Sequence, residues 1–271
     1  MLTETEFAFV AREVKTRSGA VLTRDMAPHA EQRLQPLSRR EGFSSVAEML
    51  NAAKIRSDGK LWDAIADALA QTETRFFRDK SVFDRLRTKI LPALHARNGA
   101  PLKVWCAGCS TGQEAYSLAM QIEELRAEGL PAADILATDM SERLLDKARA
   151  GLYTQFEVQR GLPIRKFIVH FEKVGDLWRI SDRLRASVRF ERHNLLEHPA
   201  ALGRFDLVLC RNVVRSFDAA TRLASVERLA DALEPHGVLL LGADEPLPDG
   251  ADSFRAEGGV FVRGHGARQA A

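Results

Sequence analysis

From residue 4 to residue 94 the apolar positions recur every three or four residues, the period of helices packed on one face. Breaks fall at Ser18-Gly19, Pro28, Gly42 and Ser57-Asp58-Gly59. Ser44-Ser45-Val46-Ala47-Glu48 reads as a capped helix start, and Leu61-Trp62-Asp63-Ala64-Ile65-Ala66-Asp67-Ala68-Leu69 as an amphipathic helix. Asn98-Gly99-Ala100-Pro101 then punctuates the chain. Beyond it, short apolar runs at 103–106, 135–138, 188–192, 205–209 and 238–241 alternate with helical stretches, which predicts a parallel α/β sheet. One segment, 153–187, breaks that alternation. In it Gly175-Asp176 sits between two apolar-polar runs, which predicts a small antiparallel hairpin. The expected organisation is therefore a helical domain over 1–94, a linker over 95–102, an α/β domain over 103–264 with a β insert at about 153–187, and a frayed tail over 265–271.

The 271 residues suffice for ample core, and the net charge of +2 argues against nucleic acid as the main partner. No apolar run approaches the roughly 20 residues that a membrane helix requires. The first six residues lack a signal peptide's charged and apolar regions, which points to a cytoplasmic protein with no direct membrane insertion. Cys106, Cys109 and Cys210 cannot build a disulfide framework and suit a reducing compartment. The Cys106-x-x-Cys109 spacing has no second Cys/His pair with ligand spacing, so we expect packing residues around a turn and no metal.

The candidate chemistry begins where the first apolar run ends, at Gly108-Cys109-Ser110-Thr111-Gly112-Gln113-Glu114. The second run ends on Asp139, twenty-five residues past Glu114. Strand, glycine-bearing turn, helix, strand and acid is the layout of an adenosine-cofactor site, with the acid on the ribose hydroxyls. The glycines allow a tight turn and close backbone approach to a ligand. The loop satisfies neither the dinucleotide fingerprint nor the P-loop pattern. S-adenosylmethionine fits better: it has a ribose and a carboxylate but no phosphate, and Glu114 offers an acceptor to its ammonium group. The competing reading is an ordinary βα turn in which Glu114 merely suits a helix N-terminus. Two more clusters stand out. Thr72-Glu73-Thr74-Arg75-Phe76-Phe77-Arg78 closes the helical region, and Phe205-Asp206-Leu207-Val208-Leu209-Cys210-Arg211-Asn212 runs from a buried strand into polar residues at its carboxyl end, where ligands of open sheets sit.

Together these segments, with Asn194-Leu195-Leu196 and Leu233-Glu234-Pro235-His236-Gly237-Val238-Leu239, resemble the CheR-type chemotaxis receptor methyltransferases, in order and over nearly the whole chain. The resemblance implies an N-terminal all-helical domain followed by a doubly wound, Rossmann-like methyltransferase domain with a small antiparallel β insert. It implies S-adenosylmethionine as cofactor, S-adenosylhomocysteine as product, and glutamate side chains on the cytoplasmic helices of chemoreceptors as substrate. Thr72, Thr74 and Arg78 would reach over the cofactor, with Arg78 nearest the methyl donor. Gly108 lies in the cofactor loop, Glu114 would bind the amino group and Asp139 the ribose. Asn194 and Leu195 would flank the adenine, and Arg211 and Asn212 would line the pocket. The insert would touch the receptor. We expect a monomer.

The sequence also departs from that pattern. Ser216 stands where the family carries a tyrosine lining the transfer site, so a catalytically weak or inactive cofactor-binding regulator is the alternative to a protein-glutamate O-methyltransferase. Gln113 replaces a glutamate, and Gly242-Ala243-Asp244-Glu245 lacks the family's histidine. The second helix, typically basic and laid along the receptor, keeps Arg33, Arg39 and Arg40 as docking candidates but contains Pro36, at which the helix is expected to kink or start. The short hairpin turn predicts docking without a receptor terminal peptide.

Overall fold

The computed structural model describes residues 2–70 and 73–264. Among the expectations, Thr72 and the 265–271 tail lie outside the described residues. The chain divides into two compact units, Met1–Gln71 with Val214–Arg222, and Thr72–Val213 with Leu223–Ala271.

The first unit is built from the helices Glu4–Ser18, Ala27–Arg40, Val46–Arg56 and Gly59–Leu69. Their starts are fixed by side chains that satisfy free N–H groups: Thr3 in a capping box with Glu6, Ser45 accepting from Glu48 N, and Asp58 accepting from Leu61 N. Val10, Val14, Leu34, Met49, Ala53 and Ile65 form its buried interior. Each of the larger ones contributes about 1.5–3 kcal/mol by leaving water. Trp62 is anchored at both ends, by Nε1 donating to the Ala53 carbonyl at 3.2 Å and by an edge-to-face contact with Phe9. The helix containing Pro36 neither starts nor breaks there; it runs from Ala27 to Arg40. Pro36 lies on the exposed face, where the carbonyl it leaves unbonded can be hydrated. The segment 214–222 joins this unit through an antiparallel bridge between Ala20 and Phe217 and an ion pair between Lys15 and Asp218 at 2.6 Å.

The second unit is a seven-stranded sheet. In chain order its strands are β1 (Leu102–Ala107), β2 (Ala133–Asp139), β6 (Val188–Arg192), β7 (Phe205–Leu209), β8 (Leu233–Leu240), β9 (Phe254–Glu257) and β10 (Val260–Arg263), and β3 (Leu152–Thr154), β4 (Phe171–Val174) and β5 (Leu177–Ile180) form a separate three-stranded sheet. The large sheet has the order β6-β2-β1-β7-β8-β10-β9, and all its pairings are parallel except those of β10 with β8 and β9. This is a Rossmann-like architecture. The antiparallel pair at its edge was not anticipated by the alternating pattern, because neither short strand has a helix to announce it. Order reverses between β1 and β7, and such a switch point leaves a crevice at the strand carboxyl ends.

The boundary between units falls near residue 71 and not at the expected 95–102 linker. The helical stretch Lys80–Arg85, Leu86–Ile90 and Leu91–Asn98 packs on the sheet unit: Phe83, Leu86, Ile90, Leu91 and Leu94 share one buried cluster with Val104, Leu118 and Leu207. Its helical period was legible, but period alone does not say which apolar surface a helix covers. The expected hairpin forms around Gly175, which has φ +59°, and β3 adds a third strand. The residues before it split differently from their sequence pattern. Ile164–His170 is a helix, and only Phe171–Val174 pairs as a strand.

Candidate cofactor site

Four parallel strands of the second unit deliver the candidate residues by their carboxyl ends. β1 leads into the loop 108–112, and the helix Gln113–Ala127 follows at once. The loop is tied to β2 because Gly108 N and Cys109 N both donate to the Thr138 carbonyl at 2.8 Å. Gly108 and Gly112 have φ of +76° and +90°, values open to glycine at little cost. Their bare faces are filled by protein. A Cβ on Gly108 would lie 2.6 Å from Val213 Cγ2, and one on Gly112 would lie 3.0 Å from Ala148 Cβ and 3.3 Å from the Tyr153 hydroxyl. The glycines therefore serve the tight turn and its packing.

Asp139 ends β2. Its Oδ2 accepts from Ser110 N at 2.8 Å and its Oδ1 from Ser141 N at 3.0 Å. These bonds fix the carboxylate beside the loop, and a carboxylate retains lone pairs for two hydroxyls. Next to it, β6 pairs Arg192 with Asp139, and His193 N donates to the Asp139 carbonyl at 3.1 Å. That brings the 193–196 turn to the same edge. There Asn194 Oδ1 accepts from Leu196 N at 3.1 Å, and Leu195 is buried.

The strongest electrostatic feature is Arg211, just past β7, whose side chain is fully buried. Its Nη1 donates to Glu114 Oε2 at 2.7 Å, and its Nη2 to Asp79 Oδ2 at 2.6 Å and to the Arg78 carbonyl at 3.1 Å. One guanidinium thus joins the head of the Gln113–Ala127 helix to the Phe76-Phe77-Arg78 segment. Burial pushes the Glu114 carboxyl above its ordinary value, and Arg211 pulls it back. Arg78 also lowers it, so that side chain lies within electrostatic range of Glu114. Its Nη1 donates to the Glu73 carbonyl at 3.1 Å, and Thr74 lies half-buried in the same stretch.

Phe77 and Asp79 both have left-handed backbone, φ +46° and +60°. For such residues that conformation costs about 1–2 kcal/mol each. The surroundings hold it: Phe77 N donates to Ser117 Oγ at 2.9 Å, Ser117 Oγ donates to the Gln113 carbonyl at 2.6 Å, and Arg211 grips the next two residues. Asp79 and Ser117 were not singled out from sequence. The acid directly after Arg78 was the available signal for the first; a serine within a helix gave none for the second.

Asn212, with φ +60°, presents its backbone N–H to Glu245 Oε2, which also accepts from Gly242 N at 2.7 Å. The buried Asn212 Nδ2 and Arg211 Nε have no hydrogen-bond partner within the protein. Ser216 and the three arginines lie in the first unit. Ser216 closes the turn Val214–Ser216, and its carbonyl accepts from Val21 N at 2.8 Å. Arg33 caps the helix Gly59–Leu69, donating to the carbonyls of Leu69 and Ala70. Arg39 and Arg40 are exposed, Arg40 beside Glu41. The three cysteines are buried free thiols, pushed up by burial, and no group of acids, histidines and cysteines among the described residues is arranged to hold a metal.

Residues 72–260 match the family described as CheR methyltransferase, SAM binding domain. The chain belongs to this family. It is 35% identical over 257 residues to chemotaxis protein methyltransferase 1 of Vibrio cholerae, covering 93% of each chain. It is also 35% identical over 254 residues to chemotaxis protein methyltransferase 1 of Pseudomonas aeruginosa, covering 90% of this chain and 92% of that protein. The chemotaxis protein methyltransferase of Listeria monocytogenes is 31% identical, with 92% and 93% covered. The cofactor of this CheR domain is S-adenosylmethionine, and the residues present suit it. Glu114 is a largely buried carboxylate for an ammonium group, Asp139 is a carboxylate fixed at the end of β2 where a ribose would lie, and Asn212 Nδ2 is an unpartnered donor. No helix among the described residues is long and apolar enough to cross a membrane.

Proposed function

We propose that this protein is a monomeric, cytoplasmic protein-glutamate O-methyltransferase that modifies the cytoplasmic helices of chemoreceptors. The observation that carries the reading is the Arg211 bridge, which holds Glu114 and the backbone of Arg78 in one largely buried arrangement beside the carboxyl ends of β1 and β7. When bound, S-adenosylmethionine supplies an electrophilic methyl group. Glu114 then holds the amino group, Asp139 the ribose, and Asn194 and Leu195 the adenine edge, while Thr72, Thr74 and Asn212 complete the lining. Arg78 orients the incoming glutamate carboxylate by a charge-assisted hydrogen bond. That carboxylate, with an unperturbed pKa of about 4.3, is already ionised at neutral pH, so no general base is needed. What would remain for the protein is to orient that carboxylate toward the methyl donor and to limit access of water. Of the three docking arginines, Arg39 and Arg40 remain for the receptor, since Arg33 is engaged in capping its own unit.

The test is transfer of labelled methyl groups to a soluble chemoreceptor cytoplasmic fragment, with the modified side chain identified by mass spectrometry. Base-labile label on glutamate, abolished in Arg78→Ala, is the expected result. The second reading, a cofactor-binding regulator, is favoured by Ser216 at the family's tyrosine position. Calorimetric binding of S-adenosylhomocysteine without any transfer, together with turnover gained in Ser216→Tyr, would replace the first reading with the second.

A further inference from the structure

Seven large apolar side chains lie exposed among the described residues, and five of them fall within 156–174. Single exposed apolar residues need no explanation, but a concentration does. Ile164 and Ile168 are 67% and 72% exposed and stand four residues apart, hence on one face of the helix Ile164–His170, with Val169 at 66% beside them. The opposite side of that helix is apolar as well. Phe167 packs edge-to-face on Trp178 and stacks on Phe171, which in turn meets Phe76. The inner side is covered by the insert's own aromatics, while the outer apolar residues are left exposed among the described residues.

The charge around this face is distinctive. Residues 153–187 carry seven Lys or Arg against four Asp or Glu, a surplus of three in a chain whose whole surplus is two. Arg165 and Lys173 are exposed beside the apolar residues, and Arg160 lies over the ring of Phe156. A groove of about 510 Å³ continues the basic character: Arg75, Lys80, Arg87, Arg160 and Lys166 line it against three carboxylates. Phe77 and Asp79, the chain neighbours of Arg78, also line it. The edge strand β4 offers a poorer surface, being four residues long with Glu172 and Lys173 at its centre, the charged pattern that discourages strand addition.

We propose that the outer face of the helix Ile164–His170, together with Phe156, docks an amphipathic helix of the protein substrate whose apolar stripe is flanked by carboxylates. The apolar residues seat the stripe, and the basic rim fixes its direction toward Arg78. This inference rests on the receptor-methylating reading. It differs from docking by strand addition in naming a helix face as the contact.

The test compares the wild-type protein with Ile164→Asp/Ile168→Asp, with Arg165→Glu/Lys173→Glu and with Ile55→Asp. Ile55 is 73% exposed and lies in the other unit, so it controls for nonspecific apolar contact. The probe is a soluble cytoplasmic fragment of a chemoreceptor from the same organism, followed by direct binding and by initial rates of methyl transfer. Unchanged thermal unfolding is expected for each variant, because the substituted side chains point to water. Both double variants should raise Kd and KM for the fragment at least tenfold, leave kcat at saturation and S-adenosylhomocysteine affinity unchanged, and Ile55→Asp should change nothing. Equal binding by wild type and both double variants overturns this inference alone. An equal loss in Ile55→Asp overturns it too, and a fragment that the wild type neither binds nor methylates overturns it together with the reading on which it rests.

Discussion

Replacing Arg211 by methionine removes a charge while keeping most of the side-chain volume. In the native protein that charge is fully buried and answers Glu114 at 2.7 Å and Asp79 at 2.6 Å, with a third bond to the Arg78 carbonyl. Methionine answers none of them and leaves two carboxylates, Glu114 at 14% and Asp79 at 26% exposure, without their shared cation. Breaking a buried pair by deleting one partner costs about 3–5 kcal/mol, mostly the penalty of the charge left behind. For a unit of this size each kcal/mol moves Tm by about 2–4 °C, so the expected fall at pH 7.5 is roughly 6–20 °C. The pH dependence supplies a second check. Burial already raises the Glu114 carboxyl above its ordinary value, and Arg211 is the largest influence holding it down. Without Arg211 the folded-state value rises further. A carboxyl raised in the folded state loses stability as pH climbs from the unfolded to the folded value, because the folded form binds the proton more tightly. The deficit of the variant is therefore largest near pH 8 and shrinks toward pH 5. Thermal unfolding followed at pH 5, 6, 7 and 8 measures both. A fall below about 2 °C at pH 7.5, or a deficit that grows on acidification, would refute the buried-bridge argument.

Three further outcomes follow from the geometry. Asp139→Ala removes an acceptor whose bonds to two hydroxyls are worth about 1.5–3 kcal/mol each, so calorimetry should show S-adenosylhomocysteine binding weakened about 100-fold or more; a loss under threefold would contradict the ribose assignment. Gly108→Ala places a Cβ 2.6 Å from Val213 in a backbone at φ +76° and should cost about 2–5 kcal/mol in thermal unfolding, with loss of cofactor binding; an unchanged Tm would show that the turn relaxes freely. Asp218 is held at about 2, first by its hydrogen bond with Lys15 and then by the backbone N–H of Thr221. A depressed carboxylate stabilises above its unfolded value and loses that contribution as pH falls toward 2, so Lys15→Ala should raise the Asp218 titration midpoint seen by NMR, and an unmoved midpoint would argue against the pair.

The placement of the candidate residues at the strand ends was legible because it follows local rules. An apolar run ending in glycines, a helix starting at once, and an acid at the end of the next run specify Gly108, Glu114 and Asp139 without any long-range information. The strand ends at Arg211 and Asn212 were legible for the same reason. What stayed hidden depends on partners far apart in the chain. Nothing local pairs Ser117 with Phe77, forty residues away, or Asp79 with Arg211, 132 residues away. The stretch 80–98 showed its helical period but not the sheet it would cover, which moved the unit boundary to residue 71. Short apolar runs are ambiguous between strand and helix, so 166–170 suggested a strand arm and folded as a helix.

The arrangement also explains why a transferase of this kind carries no recognisable acid-base pair. Under the proposed glutamate-methylating reading the substrate group arrives ionised, so the protein has no proton to move and needs no histidine or cysteine poised near neutrality. What it needs is a pocket whose carboxylates are held in place before anything binds. Arg211 does that by answering two carboxylates at once, and it cannot do so unless the backbone at Phe77 and Asp79 bends into the left-handed region. The strain in that turn and the buried guanidinium are therefore one device. The turn exposes Asp79 and the Arg78 carbonyl to Arg211, and Arg211 in return fixes the turn against the helix that carries Glu114. A substitution at Asp79 should accordingly disturb Arg78 and Glu114 together, although it touches neither the methyl donor nor the acceptor.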